Sequence, residues 1–256
     1  MAAVAALLDS SAALATLRRT LPRSHARLKT CRTARRLVET LERDWVDAVV
    51  IGTRTRRALD LTLVRARFPA VPIVLFGTVR PDEGRAVLEF DGERFAALAL
   101  EGIDDAVVGD LVVRSGYLAR RRAALGDLPR LLRLTEPLQR RAFELLLANA
   151  GPPPATDALA RRLRVSREHL SRQFGAGGAP NLKRVIDLLQ LLLARDLLEN
   201  PGFALPRTVE FLGYSSPSHF RAVVRRVLRL SYAEFFRGST SELVRRFVGG
   251  GTRSRR

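Results

Sequence analysis

Two short stretches of this chain gather the side chains that grip phosphate and read the edges of bases. Arg167, Glu168, Ser171 and Arg172 share the polar face of a run whose Leu170 and Phe174, four apart, form the apolar face. About 50 residues later Ser216, Ser218, His219 and Arg221 form a second such set, with Arg225 and Arg226 one turn further on. Arg donates its fork to guanine or phosphate, Glu accepts from the cytosine amino group, and Ser serves either. The chain offers little other chemistry. It has no nucleophile paired with a base, no phosphate-cradling glycine loop and no paired carboxylates, so no enzyme activity is expected. Its three histidines, His25, His169 and His219, lack metal-ligand spacing, and neither a metal nor a cofactor is expected.

Such residues work only if helices hold them outward. Ser166 is placed to cap a helix over Arg167–Phe174, preceded by a short helix, Asp157–Arg164, with Leu159, Ala160 and Leu163 turned inward. In the second copy Gly213-Tyr214-Ser215-Ser216-Pro217-Ser218-His219-Phe220-Arg221 supplies a tight turn, a Ser cap and a Pro in the first turn of the next helix. Ser166, His169 and Leu170 correspond to Ser216, His219 and Phe220. Between the copies Pro180–Asn200 predicts a long apolar helix, ended by Asn200-Pro201-Gly202, that fixes the distance between the two units. Each outward residue also has a plainer use as a solvated helix surface.

The charge is consistent with a polyanionic partner. The formal net charge is +18 and the pI 11.6, and 42 of the 44 basic residues are Arg, since only Lys29 and Lys183 are lysines. A GC-rich genome accounts for an Arg excess equally well. The distribution is more telling: residues 151–256 hold 19 basic and 8 acidic residues, a net of +11, against +7 for residues 1–150. Cys31 is alone, which excludes an internal disulfide and predicts a reducing location. No run of 18 apolar residues occurs, so a soluble, cytoplasmic protein without membrane contact is expected.

The N-terminal half alternates short apolar runs with amphipathic stretches. Strands are predicted at Val4–Leu8, Ala26–Thr30, Val46–Ile51, Pro72–Phe76 and Ala96–Leu100. Helices are predicted at Ser11–Thr20, Thr33–Arg43, Arg56–Arg67, Pro81–Phe90 and from Asp105 to Arg114. The fold class is therefore an α/β flavodoxin-like N-terminal domain followed by an all-α double helix-turn-helix domain. Between them Leu111–Ala150 has leucines at spacings of three and four and predicts helix, stopped by Gly151-Pro152-Pro153-Pro154.

The stretch from Leu159 to Phe174, then Ala194-Arg195-Asp196-Leu197-Leu198, then Gly213 to Arg221, resembles the AraC family of transcription regulators. That resemblance implies two helix-turn-helix units joined by a linking helix, with Glu168, Ser171 and Arg172 reading bases in the first unit. In the second it implies Ser218, His219, Arg221 and Ala222 at the reading positions and phosphate contacts from Arg225 and Arg226. The chain departs from the family at Gln190 (usually Arg), Val224 (Phe), Arg229 (Gly) and Tyr232 (Pro). The N-terminal segment is similar in length and order to the receiver domain of two-component response regulators. A working receiver has an acidic pair after its first strand, an acceptor Asp after the third, Ser or Thr after the fourth and Lys after the fifth. Here Asp9 is followed by Ser10, Gly52 stands at the acceptor position, Gly77 precedes Thr78, and Gly109 occupies the approximate Lys position. Without the carboxylate there is no nucleophile for phosphate and without the acid cluster no Mg²⁺ site.

The expected layout is a degenerate receiver-like domain (1–112), a helical linker (113–134), an AraC-type DNA-binding domain (135–238) and a basic, disordered tail (239–256). The expected partners are double-stranded DNA, a second copy of the chain and RNA polymerase. The expected function is sequence-specific transcriptional regulation with a regulatory or dimerisation domain that takes no phosphate. The alternative is a partner-binding regulator that has lost sequence-specific readout.

Overall fold

Apolar runs of four to six residues require cover on both faces, and the chain builds that cover from the helices between them. The computed structural model describes residues 2–22, 26–55, 61–79, 95–149 and 152–250. It divides into two compact units: residues 1–120 together with Asn200–Gly202, and residues 121–199 with 203–256.

The first unit holds five parallel strands: β1 (Ala2–Leu7), β2 (Ala26–Thr30), β3 (Ala48–Gly52), β4 (Ile73–Gly77) and β5 (Ala97–Leu100). Their spatial order is β2-β1-β3-β4-β5, the flavodoxin-like arrangement. Helices α1 (Ser11–Thr20), α2 (Ala34–Arg43), α3 (Leu61–Arg67) and α4 (Val108–Ser115) alternate with the strands. Both β3 and β4 are buried along their whole length, whereas the outer β2 and β5 are only partly covered. Register sets Val4 opposite Ala48 and Val50 opposite Val74, so Val4, Ala6, Val50, Val74, Phe76 and Ala99 share one face. Leu17 of α1 with Val108 and Val112 of α4 cover that face. Side-chain caps begin two of the helices: Ser10 Oγ accepts from Ala13 N at 3.1 Å and Thr33 Oγ1 from Arg36 N at 3.2 Å, so Thr33 caps the second helix instead of opening it. At Gly109 a Cβ would lie 2.2 Å from the Thr20 carbonyl oxygen, so glycine lets α4 approach the end of α1.

The second unit is helical. After α5 (Tyr117–Ala124) and α6 (Leu128–Leu131) come α7 (Pro137–Leu147), α8 (Thr156–Leu163), α9 (Arg167–Phe174), α10 (Leu182–Leu198), α11 (Leu205–Phe211), α12 (Pro217–Leu228), α13 (Tyr232–Arg237) and α14 (Thr240–Gly249). The core is α10, on which α11, α12, α13 and α14 pack, and twelve of its seventeen residues are buried.

Three boundaries differ from expectation. The division expected at 112 falls inside α4, because Val112 belongs to the sheet core. The stretch expected to be a linker joins the second unit from Arg121, with Leu125, Leu128, Leu132 and Leu134 all buried. Most of the expected disordered tail is α14: a Ser239–Glu242 capping box starts it, and Leu243, Val244 and Phe247 are buried. Three apolar residues at helical spacing outweigh the basic composition that suggested disorder. The expected helix Pro81–Phe90, the start of the helix at Arg56, Gly151 and the final Thr252–Arg256 lie outside the described residues.

Candidate nucleic-acid interface

Two helix pairs in the second unit, α8 with α9 and α11 with α12, share one turn chemistry. After α8, Arg164 takes a left-handed φ of 57° and Val165 N donates to Ala160 O at 3.1 Å. After α11, Gly213 takes a φ of 73° and Tyr214 N donates to Val209 O at 2.9 Å. Both are the six-to-one closure that satisfies a helix's last carbonyls. A serine then starts the following helix: Ser166 Oγ accepts from His169 N at 3.1 Å, and Ser216 Oγ from His219 N at 3.0 Å. Tyr214 is followed by Ser215 before the cap, so the second turn is one residue longer than the first.

The faces are also alike. On α9 Leu170 and Phe174 are buried while Arg167, Glu168, His169, Ser171 and Arg172 are exposed. On α12 Phe220, Val223, Val224, Val227 and Leu228 are buried while Ser218, His219, Arg221, Ala222, Arg225 and Arg226 are exposed. The expected site residues thus lie on two exposed helix faces, with differing commitments. Arg167 Nε lies 3.4 Å from Asp157 Oδ1, an exposed pair worth little. Ser216 has an acceptor site engaged in its cap, and His219 Nδ1 shares a hydrogen bond with Ser215 Oγ at 3.0 Å. Arg226 Nη2 donates to Asp187 Oδ2 at 3.1 Å, and Asp187, nearly buried on α10, also accepts from Lys183 Nζ at 2.7 Å. Arg226 therefore ties α12 to α10, a role its sequence position had not indicated. Burial and the Asp187 charge push the Tyr214 phenol well above its ordinary range.

Positioning residues that the sequence reading missed hold the ends of these helices. Gln139, fully buried on α7, donates from Nε2 to the carbonyls of Gln173 (3.2 Å), Phe174 (2.9 Å) and Ala176 (3.0 Å), closing the end of α9. Its Oε1 accepts from Glu136 N at 3.0 Å. Gln190, one of the departures noted above, donates from Nε2 to Leu212 O and so closes the end of α11. Arg195 on α10 donates from Nε to Gly238 O at 3.1 Å and pairs with Glu199 at 2.7 Å. The burial that marks Gln139 is decided by packing, and nothing local names its partners.

In the first unit, the carboxyl ends of the strands carry Asp9, Ser10, Gly52, Thr53, Gly77, Thr78 and Glu101. A Cβ at Gly52 would lie 2.4 Å from Asp9 Oδ1 and 2.9 Å from Thr55 Oγ1, so the space beside the third strand is taken. Thr53 Oγ1 donates to Thr78 O at 2.8 Å across the ends of β3 and β4. The residue that follows β5 is Glu101, which accepts from Ser10 Oγ at 3.0 Å. This corrects the expectation that Gly109 marks that position: Gly109 lies within α4. Among the described residues no group of three His, Cys, Asp or Glu side chains is arranged to hold a metal ion.

The chain thus consists of an α/β unit, its parallel sheet in flavodoxin-like order, followed by an all-helical unit that carries two Ser-capped helix pairs. Residues 159–238 match a family model described as "Helix-turn-helix domain". Among solved structures the chain is similar to the C-terminal domain of AraT, a response regulator from Geobacillus stearothermophilus. That match has 19% identity over 40% of this chain and 85% of that one, with a TM-score of 0.34. It is also similar to full-length FixJ from B. japonicum (13% identity, 90% and 98% covered, TM-score 0.38). The response regulator StyR matches at 14% identity, with 88% and 98% covered and a TM-score of 0.34. No curated protein matches the sequence. No described helix is long and apolar enough to cross a membrane.

Proposed function

We propose that the chain is a sequence-specific transcriptional regulator that sets α9 and α12 into successive major-groove segments on one face of DNA, about one helical turn apart. The observation that carries this reading is the doubled motif: two left-handed turns, two Ser caps and two exposed polar faces on one buried linking helix. Arg167, Glu168, Ser171 and Arg172 supply the fuller reading face. On α12 Ser216, Ser218, His219 and Arg221 meet the DNA near the helix start, and Arg225 adds phosphate attraction further along. Arg226, held by Asp187, acts chiefly by orienting α12 and secondarily on phosphate. The N-terminal module works without phosphoryl transfer, as a regulatory or dimerisation domain. Gly52 offers no acceptor carboxylate and Asp9 fills the space beside it. The protein acts inside the cell as a homodimer that meets RNA polymerase on the promoter.

The test is enrichment of bound duplexes from a random-sequence library, followed by anisotropy on the enriched site. One enriched motif with half-sites about a turn apart, weakened about tenfold or more by Arg172→Ala or Arg221→Ala, is the expected result. Binding that is equal across sequences and vanishes with salt overturns specific readout and leaves a regulator acting through a protein partner. Incubation of the full chain with acetyl phosphate and Mg²⁺ leaves its mass unchanged on this reading; a stable phosphoryl adduct overturns it.

A further inference from the structure

Arg221 differs from the other arginines of α12 in what holds it. Its guanidinium carbon lies 5.5 Å from the centroid of the Tyr232 ring. Arg167 and Arg226 face Asp157 and Asp187, but among the described residues no carboxylate pairs with Arg221. The distinction matters because a carboxylate engages the N–H fork, whereas an aromatic ring holds a guanidinium by its face and leaves the fork free along the edge. Tyr232 is itself well anchored. Its ring packs against Phe220 (6.3 Å), Phe235 (6.4 Å) and Phe236 (6.3 Å), and the Ser231–Glu234 capping box fixes the backbone from which it projects. Phe220 and Phe235 are fully buried, so a continuous aromatic cluster runs from the core to the guanidinium.

We propose that Tyr232 is the positioning residue for Arg221, holding its guanidinium on α12 with the N–H fork presented to a DNA guanine or phosphate. The proposal rests on the DNA-binding reading above. Its physical basis is preorganisation: a long, flexible side chain ordered before binding loses less conformational freedom on binding.

The test is a double-mutant cycle on the enriched duplex, using the full chain with Tyr232→Phe, Tyr232→Leu, Arg221→Ala and the Arg221→Ala/Tyr232→Leu pair. Tyr232→Phe is expected to bind within about twofold of wild type, because the ring face is kept. Tyr232→Leu is expected to lose about three- to fivefold in affinity, with no further loss in the Arg221→Ala background. A phosphate contact lowers the salt slope by about one in Arg221→Ala and by less in Tyr232→Leu, which keeps the charge, whereas a guanine contact relaxes preference at one base pair. An equal loss from Tyr232→Leu with and without Arg221 overturns the proposal, as does a Tyr232→Phe variant as weak as Tyr232→Leu. NMR of the free wild-type chain gives a reading that no destabilised variant can obscure. The Arg221 Nε–H is expected to be ring-current shifted and more ordered than that of Arg225, and equal mobility of the two also overturns the proposal. If the library yields no enriched duplex, the DNA-binding reading falls and this assignment with it. If a duplex is enriched but the cycle shows no coupling, only the role of Tyr232 falls.

Discussion

Replacing Gln139 by Leu removes a buried amide that serves three carbonyls at the end of α9 and one N–H at the start of α7. The Phe174 carbonyl is the expensive loss, since its bond to Gln139 is fully buried and no water can replace the donor, which costs about 1–3 kcal/mol. Gln173 and Ala176 are half-buried and recover part of their hydration. The exposed Glu136 N–H adds a few tenths to about 1 kcal/mol, and relief of the amide's own desolvation offsets some of the total. The net expectation is a loss of about 2–3 kcal/mol in the helical unit. With a urea dependence of about 2 kcal/mol per molar, the unfolding midpoint falls by roughly 1 M or slightly more. Helical circular dichroism of the full chain follows this transition. The single Trp, Trp45, sits in the other unit, so its fluorescence reports separately and provides the internal control. Gln139→Glu keeps the shape and the Oε1 acceptor but turns a donor into a negative charge facing helix-end carbonyls, and it is expected to be at least as damaging as Leu. A Leu variant within about 0.5 kcal/mol of wild type, or a Glu variant as stable as Gln, refutes the assignment of Gln139 as the cap of α9.

Four other substitutions test the remaining construction. A Cβ at Gly213 meets nothing within 4 Å, so Gly213→Ala isolates the backbone cost of a left-handed residue, about 1 kcal/mol in the same denaturation assay, and Arg164→Gly gains up to a similar amount. At Gly109 the added methyl would meet the backbone of Thr20 and Leu21 at 2.2–2.6 Å, so Gly109→Ala lowers the Trp45-reported transition by about 2 kcal/mol or more. Burial pushes the Asp196 carboxyl from 3.8 up to about 6 against the opposing pull of Arg121. The folded state then binds the extra proton, so this group's contribution is fully present below about pH 4 and is lost as pH rises through about 6. Asp196→Asn removes that dependence, and an unchanged difference in midpoint between wild type and variant from pH 4 to 7 counts against it.

What is local in this chain could be read from its sequence. Ser166 and Ser216 cap the helices expected of them, and Ser10 and Thr33 cap two others, because each cap bond joins residues three apart. The apolar runs Val46–Ile51 and Pro72–Phe76 identified the central strands, which lie at Ala48–Gly52 and Ile73–Gly77, and the helix over Arg167–Phe174 begins and ends where its apolar pair and its serine require. Tertiary structure decided which distant groups meet. Gln139 finds Phe174 at a separation of 35 residues, Arg226 finds Asp187 at 39, and Ser10 finds Glu101 at 91. The packing of α14 likewise turned a basic tail into part of the core. The physical reason is one of range. Capping and periodicity act within a turn or two and leave a pattern in consecutive residues. The partner of a buried amide, a carboxylate or a stacked guanidinium depends on how whole helices pack, and Arg221 can be seen to lie on Tyr232 only once α12 and α13 are in place.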